Sequence, residues 1–96
     1  MERIYPHTDI IAAHKHCYGN RAEILRSELC GCLCCLARFR ATEIEEWIDE
    51  SRPGQGQTAL CPECGIDSVI GTASGYSLSA TFLAQMKAYW FSRKKK

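Results

Sequence analysis

The chain of 96 residues is 46% hydrophobic and 24% charged, with a formal net charge of +1. This length provides one hydrophobic core, and the composition is too apolar for a disordered segment. No apolar run reaches the ~18 residues that a membrane helix needs, and the first residues lack the apolar stretch of a secretory signal, so we expect a cytoplasmic protein.

Two helices are predicted before the first cysteine cluster. Apolar residues recur on one side of residues 8–18, and Gly19 is placed to end that helix. Asn20 and Glu23 have the spacing of a capping box, in which each side chain accepts a hydrogen bond from a backbone amide of the other. We therefore expect a second helix to begin at Asn20.

A third helix, a short strand and a last helix are predicted after the cluster. Residues 42–45 form another capping-box pattern, followed by Ile44, Trp47 and Ile48 at helical spacing, and residues 52–56 break the helix. Residues 66–70 predict a strand that pairs with the neighbouring cysteine turn. Ser77 or Ser79 caps the last helix, whose apolar face is predicted to pack on the cysteine turns and the third helix: Phe82, Leu83, Met86, Tyr89 and Trp90.

Seven cysteines are the unusual feature of this composition. An odd number cannot pair completely within one chain, and in a reducing compartment clustered cysteines bind metal more often than they form disulfides. Cys61 and Cys64 form a C-x2-C pair with a proline inside and a glycine after it, while Cys32 and Cys35 form a second such pair. Two pairs of this kind predict one structural Zn²⁺ held by four thiolates.

The register of the first pair is open, because Cys30 and Cys34 lie in the same cluster. Neither gives the x2 spacing with the cysteines around it, so we expect both to be close neighbours of the metal and not ligands. Cys17 is expected to be a small apolar residue of the first helix.

The predicted fold class is therefore α+β and helix-rich: a small zinc-knuckle domain, zinc-ribbon or treble-clef-like, with a short β-hairpin and about four helices. We expect one zinc-binding domain over residues 1–92 and a basic tail over residues 93–96.

Several strings of this sequence resemble a group of small bacterial proteins that carry the general description "cytoplasmic protein". They are CGC-x2-C from Cys30, EI-x2-WI from Glu43, CP-x-CGIDSVIG from Cys61, and the aromatic end of the last helix. The resemblance covers about residues 14–91 and implies a bacterial or phage-borne intracellular zinc protein, without an established activity. Cys34 departs from the group's pattern, in which an aromatic residue is usual.

The favoured function is a non-enzymatic intracellular binding module that docks to a protein partner, because a site of four thiolates leaves no open position for catalysis. Arginines and the basic tail make a nucleic-acid-binding zinc protein the alternative. A metal-dependent hydrolase or nuclease is suggested only by His14, His16 and Asn20, and thiol redox chemistry only by the C-x2-C spacing. Neither pattern has the accompanying residues that such enzymes need.

Overall fold

Two short α-helices, five short antiparallel strands and a last α-helix follow one another along the chain in the computed structural model, which describes residues 4–91. The α-helices are α1 (His7–Ala13), α2 (Arg21–Leu25) and α3 (Ala80–Trp90), and the strands are β1 (Cys30–Cys32), β2 (Arg38–Phe39), β3 (Trp47–Arg52), β4 (Gln55–Ala59) and β5 (Val69–Gly71). Single turns of 3-10 helix lie at His14–Cys17, Ala41–Glu43 and Thr72–Ser74. The α+β class is confirmed, with three α-helices in the described residues instead of about four; the predicted tail at 93–96 lies outside them.

A three-stranded antiparallel sheet places the cysteines. Its order is β2-β1-β5, with Cys30 opposite both Phe39 and Gly71, and Cys32 opposite Val69. The strand predicted over residues 66–70 begins only at Val69, and its partner is β1, not the second cysteine turn.

The predicted third helix is wrong, because this segment is the first strand of a β-hairpin. Trp47 lies opposite Ala59 in the pairing of β3 with β4. Pro53 and Gly54 form the two-residue turn between the strands, and Gly54 has the positive φ of 77° that glycine adopts without strain. Glu43 accepts a hydrogen bond from the amide of Arg40 at 3.0 Å, but this cap closes only one 3-10 turn. Aromatic and β-branched residues such as Trp47 and Ile48 are also common in strands, so the segment is compatible with a helix or a strand. The pairing of β3 with β4 selects the strand.

The predicted capping box at the second helix is also wrong, since the Asn20 side chain bonds away from α2. Its amide nitrogen donates to the carbonyls of His16 and Val69, both at 2.9 Å, and its oxygen accepts from the amide of Ala59 at 3.2 Å. Glu23 instead contacts Nδ1 of His16 at 2.9 Å. A buried amide side chain that reaches three backbone groups satisfies more polar atoms here than a cap would.

Two hydrophobic clusters form the core, and α3 belongs to one of them. Phe82, Leu83 and Met86 are fully buried against α1 and the β1–β5 side of the sheet, whereas Ile44 and Trp47 pack in the other cluster. The predicted apolar face of the last helix is thus buried in its first half, but not against the segment of Ile44. Of the two predicted caps of α3, Ser77 and Ser79, it is Ser79 that accepts a hydrogen bond from the amide of Phe82 at 3.1 Å. No helix within residues 4–91 combines the length and the apolar character needed to cross a bilayer.

Candidate metal centre

Two turns at one end of the three-stranded sheet bring four cysteines together. The first turn joins β1 to β2 and begins at Cys32, and the second precedes β5. Because β5 runs antiparallel to β1, with Val69 opposite Cys32, the second turn lies beside the end of β1. The Sγ atoms of Cys32, Cys35, Cys61 and Cys64 all lie within 4.8 Å of one another.

The backbone of the two turns is closed by the same pair of hydrogen bonds. In the first, the amide of Cys32 donates to the carbonyl of Ala37 at 2.9 Å, and the amide of Leu36 donates back to Cys32 at 3.0 Å. In the second, Cys61 donates to Ile66 at 3.0 Å and Gly65 donates to Cys61 at 2.9 Å. The turns are therefore two copies of one local structure, 29 residues apart in the chain.

Each copy turns two backbone amides towards its first sulfur. The amides of Cys34 and Cys35 lie 3.3 Å and 3.5 Å from the Sγ of Cys32. Those of Glu63 and Cys64 lie 3.3 Å and 3.4 Å from the Sγ of Cys61. Amide donors stabilise a thiolate more than a thiol, because they place positive dipoles on the charged form.

The distances between sulfurs suit a metal ion and not a disulfide. The Sγ atoms of Cys32 and Cys64 are 3.6 Å apart, as are those of Cys35 and Cys61. All seven cysteines are free, and a disulfide would need a separation of about 2.05 Å. A tetrahedron with metal–sulfur bonds of about 2.3 Å has sulfur–sulfur edges of about 3.8 Å. The cluster has the dimensions of one tetrahedral metal site.

The electrostatics of the cluster favour a cation at its centre. Burial raises the pKa of the Cys32 thiol, but hydrogen bonds from Ser68 and from the two amides outweigh it, so that pKa lies below the usual value. Burial raises the pKa of Cys61 and Cys64, and the neighbouring sulfur of Cys32 raises that of Cys64 further. The Cys32 thiolate forms readily, and Cys61 and Cys64 then resist ionisation unless a positive ion compensates the charge.

Ser68 is a residue of this site that the sequence patterns did not single out. It is buried, and its Oγ lies 3.2 Å from the Sγ of Cys32, where the hydroxyl can donate to a thiolate. No spacing rule links it to the cysteines, since the contact depends on the pairing of β5 with β1. Such neighbours orient a metal ligand and adjust its basicity.

The remaining three cysteines lie outside the sulfur cluster. Cys30 is buried on β1 and Cys34 is half-buried inside the first turn, and neither sulfur belongs to the group of four. Cys17 is buried in a 3-10 turn, where burial raises the pKa of its thiol to about 12. It occupies the core position that was expected of a small apolar residue.

The residues that suggested catalysis do not form one constellation with the cysteines. His14 stacks on the ring of Trp90 with centroids 4.0 Å apart, while His16 pairs with Glu23. Asn20 is engaged in the three backbone contacts described above. Within residues 4–91, no group of metal-ligating side chains other than the four cysteines comes together.

Comparisons with protein-family models, with curated proteins and with solved structures gave no match. The interpretation of this centre therefore depends on its own geometry and chemistry.

Proposed function

We propose that this chain is a non-enzymatic binding module whose fold is held by one structural Zn²⁺ on Cys32, Cys35, Cys61 and Cys64. The observation that carries the proposal is the pair of matching turns, which bring four Sγ atoms together at the sulfur–sulfur distances of a tetrahedral metal site. Two such turns on an antiparallel sheet support a zinc-ribbon-like arrangement. The seven free thiols suit a reducing, intracellular compartment, as the resemblance to small bacterial proteins also implies.

Zinc is favoured over other metals by the ligand set. Four thiolates are soft ligands, and a tetrahedral set of four sulfurs selects zinc or iron. Cys35 and Cys64 are exposed while Cys32 and Cys61 are buried, so the site lies at the edge of the sheet and not in the deep core. A structural Zn²⁺ at this position would join two turns that are far apart in the chain, and in so small a domain its binding energy would add to the stability of the fold.

A four-thiolate site supports binding more than catalysis. Zinc with four cysteine ligands has no open position at which to activate a water molecule. Redox cycling of the C-x2-C pairs is disfavoured, because the sulfurs of both pairs converge in one cluster with the spacing of metal ligands. The partner that we propose is a protein, because the acidic segment from 41 to 67 lies next to the metal centre and repels phosphate.

Neighbouring cysteines provide a matched test of the ligand set. Cys35→Ser and Cys34→Ser change adjacent residues of one turn, and neither side chain is fully buried. We expect the purified Cys34→Ser protein to hold one zinc per chain by mass spectrometry and to melt like the parent. Cys35→Ser should lose most of the metal and the cooperative transition, since metal-binding energy is folding energy in small zinc domains.

Cobalt substitution reads the same site directly, because tetrahedral four-thiolate Co²⁺ gives strong visible absorption that weakens when one thiolate is lost. Equal zinc content in both serine variants, or iron in place of zinc after expression in medium containing both metals, would contradict the proposed centre.

The choice of partner is tested by mixing the zinc-loaded protein with random single-stranded and duplex oligonucleotides. Salt-dependent binding at micromolar concentrations would favour nucleic acid over protein.

A further inference from the structure

A small groove lies beside the second cysteine turn, where Ile66, Asp67 and Ser68 form part of its lining. It encloses about 300 Å³, and its lining also includes three aromatic side chains, those of Tyr18, Trp90 and Phe91. We call this the aromatic groove. Tyr18 is 50% exposed and Ile66 is 39% exposed, so apolar surface faces solvent here without an internal use.

The rings of the aromatic groove are held in place before anything binds. The indole nitrogen of Trp90 donates to the carbonyl of Ile10 at 3.2 Å, and His14 stacks on the indole ring. Tyr18 meets His14 edge-on, with centroids 5.3 Å apart. A wall fixed in this way loses little side-chain entropy when a ligand enters.

Asp67 gives the groove its charge. This half-buried carboxylate has neither a hydrogen bond nor an ion-pair partner among residues 4–91. Its field reaches the rings, because burial lowers the pKa of His14 while Asp67 opposes that shift, and burial and Asp67 together raise the pKa of Tyr18. Burial thus favours the neutral form of His14, and the groove combines one carboxylate with electron-rich ring faces.

A planar cation fits this combination best. A guanidinium group stacks on aromatic rings, is weakly hydrated, and presents a fork of donors that matches a carboxylate. An ammonium group lacks the planar fork, and a nucleobase that stacked on the same rings would bring its phosphate towards Asp67. A volume near the lower end of ligand sites holds one side chain and not a whole metabolite.

We propose that the aromatic groove takes the arginine side chain of a partner protein, with the guanidinium against the rings and facing Asp67. This inference rests on the proposed function, since it names the chemistry by which the module holds its protein partner. The metal centre and the groove share the second turn, because Asp67 follows Cys64 by three residues. Zinc thereby fixes the position of the carboxylate relative to the rings of α3.

The test uses a short peptide, acetyl-Gly-Gly-Arg-Gly-Gly-amide, and the same peptide with citrulline in place of arginine. Citrulline keeps the shape and removes the charge. The zinc-loaded, ¹⁵N-labelled protein is titrated by NMR, with the indole N–H of Trp90 as the reporter and that of Trp47 in the hairpin as the internal control. We expect the arginine peptide to shift the Trp90 signal and to bind at least about tenfold more tightly than the citrulline peptide.

Charge-matched variants locate the contact. Asp67→Asn should weaken binding of the arginine peptide about tenfold or more, whereas Glu63→Gln removes a charge from the exposed tip of the same turn and should leave binding unchanged. Tyr18→Ala provides a second test on a half-exposed ring, should the first variant lose its fold. Both variants are checked for zinc content and an unchanged pattern of amide signals.

Several results would overturn the inference. They are equal binding of arginine and citrulline peptides, shifts confined to Trp47, displacement of the peptide by a single-stranded oligonucleotide, and binding that appears only after residues 92–96 are removed. The last result would make the chain's own basic end the occupant. A folded chain with one zinc and no response to the peptide contradicts this inference alone, whereas a chain without zinc contradicts the proposed function.

Discussion

Replacing Asn20 by alanine is expected to destabilise the protein more than any other single loss of a polar side chain in the described residues. Asn20 is 3% exposed, and its amide joins the 3-10 turn before α2 to β4 and β5. Alanine leaves the amide of Ala59 and the carbonyl of Val69 without these partners in a site closed to water. Each unsatisfied buried group costs about 1–3 kcal/mol, so the free energy of unfolding should fall by about 3–5 kcal/mol.

Asn20→Asp keeps the size and shape of the side chain but removes its N–H donor. The carboxylate keeps the acceptor that faces the amide of Ala59, but it places negative oxygen 2.9 Å from two carbonyl oxygens. At neutral pH we expect it to be at least as destabilising as alanine, because a buried charge without donors is costly. The assay is urea denaturation of the zinc-loaded proteins, followed by circular dichroism.

Gln55→Ala is the control, since it removes an exposed amide side chain from the hairpin and should change stability by less than about 0.5 kcal/mol. Unfolding of Asn20→Ala at the same urea concentration as Gln55→Ala would contradict the proposed role of the Asn20 side chain. A stable Asn20→Asp protein would also refute it, because that result would show that the two carbonyls have other donors.

Three further substitutions or modifications test particular contacts. Gly65→Ala should lower the free energy of unfolding by about 1–2 kcal/mol, because Gly65 has a φ of 80° in open space and only the backbone conformation opposes a Cβ; an unchanged urea midpoint would contradict this. Iodoacetamide at mildly alkaline pH should modify Cys34 and spare Cys17, whose pKa is raised to about 12 by burial; peptide mass spectrometry checks the order, and early modification of Cys17 would contradict its burial. Phe82→Ala should lower the free energy of unfolding by about 3–5 kcal/mol, whereas Leu25→Ala, at an exposed position, should lower it by less than about 0.5 kcal/mol. Equal melting temperatures of the two variants would contradict the burial of Phe82 in the core.

The cysteine spacing was the part of the sequence that predicted structure best, and the reason is local. The amides that follow each first cysteine lie against its sulfur in both turns, so these contacts join residues that are neighbours in the chain. The four sulfurs come together as the two pairs suggested. Ser79 is similar, because its cap joins two residues that are only three positions apart in the chain.

The errors arose where distant segments decide the structure. Ile44, Trp47 and Ile48 fit a helical pattern, yet Pro53 and Gly54 turn the chain so that β3 finds β4. A short apolar pattern does not distinguish a helix from a strand. The pairing of two strands across a two-residue turn decides the structure here. The hydrogen bonds of Asn20 could not be predicted from its neighbours in the chain, because its partners on β4 and β5 lie 39 and 49 positions away.

The two cysteine turns have the same backbone conformation, but different residues follow their second cysteines. That position has a positive φ in both, 67° at Leu36 and 80° at Gly65. Glycine adopts this conformation freely, whereas a leucine costs about 1–2 kcal/mol. A structural zinc contributes about 10–16 kcal/mol in small domains, so the zinc that we propose would outweigh the strain at Leu36 many times over. The first turn would then depend on the metal more than the second, which has a preformed backbone, and we expect zinc to reach Cys61 and Cys64 first and to order the turn of Cys32 and Cys35 afterwards.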